Sequence, residues 1–279
     1  LAVRRFVIEL VSSASSLLVT GCGGLHHSPT DRACDERCLE LDHIFIFVSK
    51  DAPERETLTR LGLRTDGHVA RHTGQGTASI GFIFENAYLE LLWVENQDEF
   101  QASCSAAGGD FCDRARWRET GASPFGIGLR NRCADPHPPP LKHREYRAEW
   151  MNPDSCIHIV DDTDNREPEF FVVPPYLALP SWLRKVDATH PRGVSRLTRA
   201  ELTIGPKRRG LSDFGVGSGF NFVSADSHKP MSHAIHVIRR CANVRFTRGR
   251  APLLTLTFDD ARQGQSADLR PDLPLFIQY

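Results

Sequence analysis

"LDHIFIFV" (Leu41–Val48) and, further along, "NAYLELLWVE" (Asn86–Glu95) decide the reading of this chain. Both are strongly apolar runs, and each carries inside it one ionisable residue that burial normally excludes: His43 in the first and Glu90 in the second. Successive side chains of a strand point to opposite faces. His43, Phe45 and Phe47 therefore share one face, as do Tyr88, Glu90 and Leu92. If the two strands lie in one sheet, an imidazole and a carboxylate look into the same cavity. Each residue also has an ordinary alternative, a core histidine bonded to a carbonyl or a carboxylate in a buried salt bridge. A lone buried carboxylate costs several kcal/mol, so Glu90 requires a partner in either case.

Between these runs, "DAPERETLTRLG" reads as a short helix. Asp51 and Glu54 have capping-box spacing, Pro53 suits the first turn, and Gly62 is placed to end it. A strand near Ser79–Glu85 follows, and Glu85–Asn86–Ala87 makes a tight turn into "YLELLWVE". Helical stretches open near Asn96 and in "GGDFCDRARWRETG". A second series of strands then begins at "SPFGIGLR" (Ser123–Arg130) and continues through "REYRAEWM", "CIHIVDD" and "EFFVVP". A Pro-rich connection leads to "RLTRAELTIG" (Arg196–Gly205), an ambiguous stretch from Pro206 to Arg240, and the strands "NVRFTRGR", "PLLTLTFDD" and "DLPLFIQY". The expected class is α+β, dominated by antiparallel meanders with a few peripheral helices.

The bulk properties bound the rest. The chain has 279 residues with 40% hydrophobic and 25% charged content, ordinary for a globular protein. A formal net charge of -1 leaves no overall field to draw nucleic acid or an anionic membrane. The first residues read as an export signal: Arg4 and Arg5, the apolar "FVIELVSSASSLLV", then "VTGC" ending at Cys22. The last four letters resemble a bacterial lipobox, in which Cys22 is lipidated. That divides the chain into a signal segment 1–22, a polar tether 23–40, a main domain 41–180 and a β-rich C-terminal segment 190–279. The expected location is an exported, membrane-anchored lipoprotein or the periplasm, or the cytoplasm if the segment is no signal. Eight cysteines permit disulfides in an oxidising compartment, and Cys104 and Cys112 are placed to staple two adjoining helices.

The order of elements from Leu41 to Glu95, with "LGL" after the helix and the loop "HTGQGTA", resembles the vicinal oxygen chelate superfamily and its glyoxalase-like proteins. The resemblance implies paired βαβββ modules in a cupped mixed sheet, with the C-terminal segment a partial or degenerate further module. It implies a divalent metal held by His43 and Glu90, with Glu90 also a catalytic base. It further implies ligands from the second module, where the chain departs from the pattern: Gly126 stands where a His is expected, and Phe170 or Phe171 where an acid is expected. His158 and Glu201 are candidate substitutes. The activity implied is that of a metal-dependent lyase or isomerase on a small oxygenated molecule. The alternatives are a non-catalytic binding or resistance protein on the same scaffold, and an extradiol-type dioxygenase. His72 and Gln75 of the flexible loop and Tyr88 are candidate substrate contacts, and a homodimer is compatible with this plan.

Other signals are weaker. "GVGSGF" (Gly215–Phe220) lacks the Lys and Ser/Thr of a phosphate cradle. "KRR" (Lys207–Arg209) reads as a solvated turn. His233 and His236 would share a helix face. No G-x-S-x-G elbow is present, and the four tryptophans read as core.

Overall fold

The computed structural model describes residues 39–107, 110–132, 141–161, 163–206 and 230–279. The signal segment with Cys22, most of the tether, "KRR" and "GVGSGF" lie outside the described residues.

The protein is mixed α+β, built on two mixed sheets of eight and five strands. The larger sheet holds two runs of four strands. The first is β1 (Leu39–Phe47), β2 (Val69–His72), β3 (Thr77–Ile83) and β4 (Tyr88–Val94), with helix α1 (Arg55–Arg60) between β1 and β2. The second is β5 (Phe125–Asn131), β6 (His143–Tyr146), β7 (Ile157–Val160) and β8 (Glu169–Val172). Their spatial order is β2-β3-β4-β1-β5-β8-β7-β6. Within each run the first strand lies parallel to the fourth, and β1 meets β5 antiparallel at the centre. The two halves are therefore related by an approximate two-fold axis between β1 and β5.

The sheet is buried on both sides at its centre. Ile44, Ile46, Leu89, Leu91, Ile127, Leu129, Phe170 and Val172 point to the back and join the main core. There they meet the second sheet, ordered β10-β9-β11-β13-β12. It comprises β9 (Leu197–Ile204), β10 (Val244–Arg248), β11 (Leu253–Phe258), β12 (Ser266–Asp268) and β13 (Leu275–Gln278). Helix α5 (His233–Cys241) completes this layer, burying Ala234, Ile235, Val237 and Ile238. This sheet departs from the module order, since β9 runs parallel to β10 and antiparallel to β11. Asn86 stitches the layers together: its side-chain amide donates to the Leu197 carbonyl and its side-chain oxygen accepts from the Leu197 N–H, both at 2.9 Å.

On the front, Phe45, Phe47, Leu92 and Phe171 form a smaller apolar cluster with Phe100 and Phe111. The last two come from α2 (Gln97–Ala107) and α3 (Asp110–Ala115), which the Cys104–Cys112 disulfide joins as the sequence suggested. A short α4 (Trp117–Thr120) leads into β5.

The start of α1 differs from the capping-box reading. Asp51 and Ala52 form a turn at φ of 64° and 46°, and the helix begins only at Arg55 with no side-chain cap. Glu54 turns back instead to accept the Ser49 N–H at 3.0 Å. Gly62, at φ 81°, ends the helix as its spacing implied.

Candidate functional site

The site lies on the front face where β1 and β4 run side by side. Register pairs His43 with Tyr88 and Phe45 with Glu90, so the side chains converge as their alternation requires. His43 Nε2 lies 3.7 Å from Glu90 Oε2, with both groups largely buried. The Tyr88 ring stacks on the imidazole at 4.4 Å and 18°, and Phe171 meets its edge at 5.2 Å.

A second acid completes the row. The β1–β5 register slips between Leu41 and His43, a β-bulge that leaves Asp42 unpaired. The extra residue shifts the alternation by one, so Asp42 shares a side with His43 although the two are adjacent. Asp42 Oδ1 accepts from His43 Nδ1 at 2.9 Å. Asp42 Oδ2 accepts from the Leu179 N–H at 2.8 Å and from Arg130 Nη1 at 3.1 Å. Asp42 is fully buried, and these donors compensate its desolvation. The carboxylate fixes the proton on Nδ1 and aims Nε2 at Glu90, as a carboxylate does for a catalytic or metal-bound histidine.

The loop residues reach the same face. His72 Nδ1 lies 2.9 Å from Thr77 Oγ1, and the His72 ring packs against Trp150 at 4.9 Å. Burial lowers the His72 pKa from 6.5, with Glu90 opposing and His43 reinforcing the shift. Gln75 accepts from Thr77 at 2.7 Å and donates to the Tyr146 hydroxyl at 3.1 Å. Trp182 meets Tyr88 edge-on at 5.4 Å. Burial, together with the Glu90 and Asp42 carboxylates, holds the Tyr88 phenol well above 10.0, so its hydroxyl stays neutral. His43, Glu90, His72, Gln75 and Tyr88 thus lie on one face. Asp42, Tyr146, Trp150 and Trp182 join them without having been singled out for the site.

His158 does not join them. It pairs with Val172 on the face that carries the main core, whereas its neighbour Ile159 pairs with Phe171 on the front. An odd number of residues separates it from the front-facing phase, so it cannot complete a ligand set with His43 and Glu90. Glu201 lies on β9 of the other sheet, opposite Thr255.

The two-fold relation identifies the matching positions of the second half. The pairs His43–Gly128 and Phe45–Gly126 exchange under it, so Gly126 matches His43. Glu90 sits opposite Phe45 and Phe171 opposite Gly128, so Phe171 matches Glu90. These positions are apolar for a steric reason. A Cβ on Gly128 would lie 2.4 Å from His43 Cε1, and one on Gly126 would lie 2.0 Å from Phe45 Cε1. The rings of β1 lie across the bare backbone of β5 and fill the space that a second pair of ligands would need.

The 3.7 Å between Nε2 and Oε2 is slightly wider than the roughly 3.0–3.4 Å between two donors on one small divalent cation. Two donors with apolar matching positions do not fit the four-ligand centre implied by the resemblance. What the row offers chemically is an imidazole oriented by one carboxylate and facing another, walled by aromatic rings.

No known protein family and no curated protein matches the chain. Among solved structures, a hypothetical protein from Staphylococcus aureus is similar at a TM-score of 0.46 and 13% identity, over 86% of this chain and 99% of that one. A hypothetical protein from Bacillus halodurans C-125 is similar at a TM-score of 0.28 and 12% identity, over 48% of this chain and 93% of that one. Likenesses at this level carry no functional argument.

Proposed function

We propose that the front face binds a small oxygenated molecule and moves a proton on it, as a lyase or isomerase of the glyoxalase-like kind. The observation that carries this reading is the Asp42–His43–Glu90 row, in which a buried carboxylate holds Nδ1 and leaves Nε2 facing a second acid. Asp42 stabilises the imidazolium that forms when Nε2 takes a proton from the carbon beside a substrate carbonyl. Nε2 then passes that proton to the Glu90 carboxylate, 3.7 Å away, and Glu90 delivers it to the neighbouring carbon. The neutral Tyr88 ring stacked on His43 restrains the imidazole, and Trp150 and Trp182 supply apolar wall for the ligand.

A second reading, a binding protein that holds such a molecule without turning it over, draws support from Gly126 and Phe171, which leave the symmetric half of the face without polar groups. An extradiol-type oxygenase draws less, because its iron needs a third donor beside His43 and Glu90. The proposed chemistry rests on the side chains of this row and not on a divalent metal. Export is proposed on the N-terminal signal features, and the Cys104–Cys112 disulfide supports an oxidising compartment. No helix among the described residues is long and apolar enough to cross a membrane.

The test is proton exchange in D2O, followed by NMR, on methylglyoxal–thiol adducts and small 2-hydroxy carbonyl compounds. Wild type should wash deuterium into the carbon beside the carbonyl, and His43→Gln should lose at least about 100-fold of that rate. Tight binding without exchange selects the binding-protein reading. Exchange unaffected by His43→Gln defeats the proton-transfer reading.

A further inference from the structure

The back face of the edge hairpin β6–β7 carries a separate group of side chains. Register sets Glu145 opposite His158 and His143 opposite Val160. With Cys156 one alternation before His158, these residues share one side of the hairpin. Donor atoms of Glu145, Cys156 and His158 all lie within 4.8 Å of one another. Cys156 Sγ and His158 Nε2 are 3.5 Å apart. In a tetrahedral zinc site, sulfur at about 2.3 Å and nitrogen at about 2.0–2.1 Å from the metal stand roughly 3.6 Å apart, so this pair already has coordinating separation. Next to them, His143 Nδ1 is 2.8 Å from the Leu141 carbonyl, which fixes the proton there and leaves Nε2 as the free donor. Its ring centroid is 4.7 Å from that of His158.

We propose that Cys156, His158 and Glu145 form a binding site for a thiophilic divalent cation of the zinc type, with His143 or water as fourth ligand. The donor set argues for that class: a thiolate and imidazoles select zinc-like ions over magnesium or calcium, which take oxygen ligands. Arg147 donates to Glu145 Oε2 at 2.9 Å, which leaves the other carboxylate oxygen for a cation. A bound cation would cross-link two four-residue strands at the rim of the sheet. The site is independent of the front face, and it stands or falls apart from the proposed proton transfer.

Cobalt(II) titration of the chelator-treated full chain tests it, read by the thiolate-to-cobalt charge-transfer absorption. Wild type should bind one cobalt with that band, and zinc should displace it. Cys156→Ser should abolish the band, and Glu145→Gln and His158→Gln should each weaken binding at least about 100-fold. His43→Asn should leave it unchanged. Far-ultraviolet circular dichroism checks that each variant is folded, and Glu145→Gln, at an exposed position, keeps the test usable if the half-buried variants fail to fold. Absence of the band in wild type overturns the proposal, as does its persistence in Cys156→Ser or unchanged affinity in Glu145→Gln.

Discussion

Replacing Asp42 by Ala should be among the most costly single changes in the described part of this protein. The carboxylate is fully buried and accepts three hydrogen bonds. Its loss leaves the buried Leu179 N–H and His43 Nδ1–H without acceptors, at about 1–3 kcal/mol for each unsatisfied group. Arg130 fares better, because it keeps Glu40 at 2.7 Å and the Asn86 carbonyl at 3.2 Å. Breaking a buried pair outright costs about 3–5 kcal/mol; with Arg130 still partly compensated, the expected loss lies near the lower end, about 3 kcal/mol. Asp42→Asn keeps the shape and one acceptor and should lose roughly half as much. Urea unfolding at pH 7, followed by tryptophan fluorescence, measures both. A loss below about 1 kcal/mol for Asp42→Ala would refute the reasoning, because the three bonds could not then be made by a desolvated carboxylate.

Gly128→Ala should destabilise by about 1–3 kcal/mol through overpacking and displace the His43 ring, since the new methyl would stand 2.4 Å from Cε1; the His43 ring resonances report the displacement. Replacing both Cys104 and Cys112 by Ala opens a short loop, with a sequence separation of 8, and should cost about 2–3 kcal/mol, seen as a lower urea midpoint. The pH dependence has a definite sign. His190 accepts the Arg64 N–H on Nδ1 at 3.0 Å, and its Nε2 is 2.9 Å from the Ile83 carbonyl, so the fold holds it neutral. Burial is the main cause that lowers its pKa from 6.5. The unfolded chain therefore binds the proton more readily, and stability present above pH 6.5 is lost as pH falls from there through the lowered folded value. His190→Gln should reduce the slope of urea stability between pH 7 and pH 5, and an unchanged slope would contradict this assignment.

Much of the sheet was legible because its central strands are long and clearly phased. The alternation in "LDHIFIFV" and "YLELLWV" fixed which residues share a face, and with it the meeting of His43, Tyr88 and Glu90. Asp42 escaped because a bulge breaks the period of two, and nothing in the local sequence signals the extra residue. His158 was misplaced because a four-residue strand offers no internal phase from which to tell front from back. Trp150 and Trp182 reach the site from irregular segments, so only tertiary packing distinguishes a wall of the face from ordinary core. Asp51 and Glu54 had cap spacing, yet the turn at positive φ overrode it. The short strand Ser266–Asp268 and the helix His233–Cys241 are settled by partners remote in sequence.

The account turns on which nitrogen of His43 the bulged Asp42 holds. Two-dimensional ¹H–¹⁵N NMR of the imidazole at neutral pH reads this directly. The account predicts a protonated, hydrogen-bonded Nδ1 in wild type that is lost in Asp42→Ala. A neutral ring protonated on Nε2 alone would contradict it.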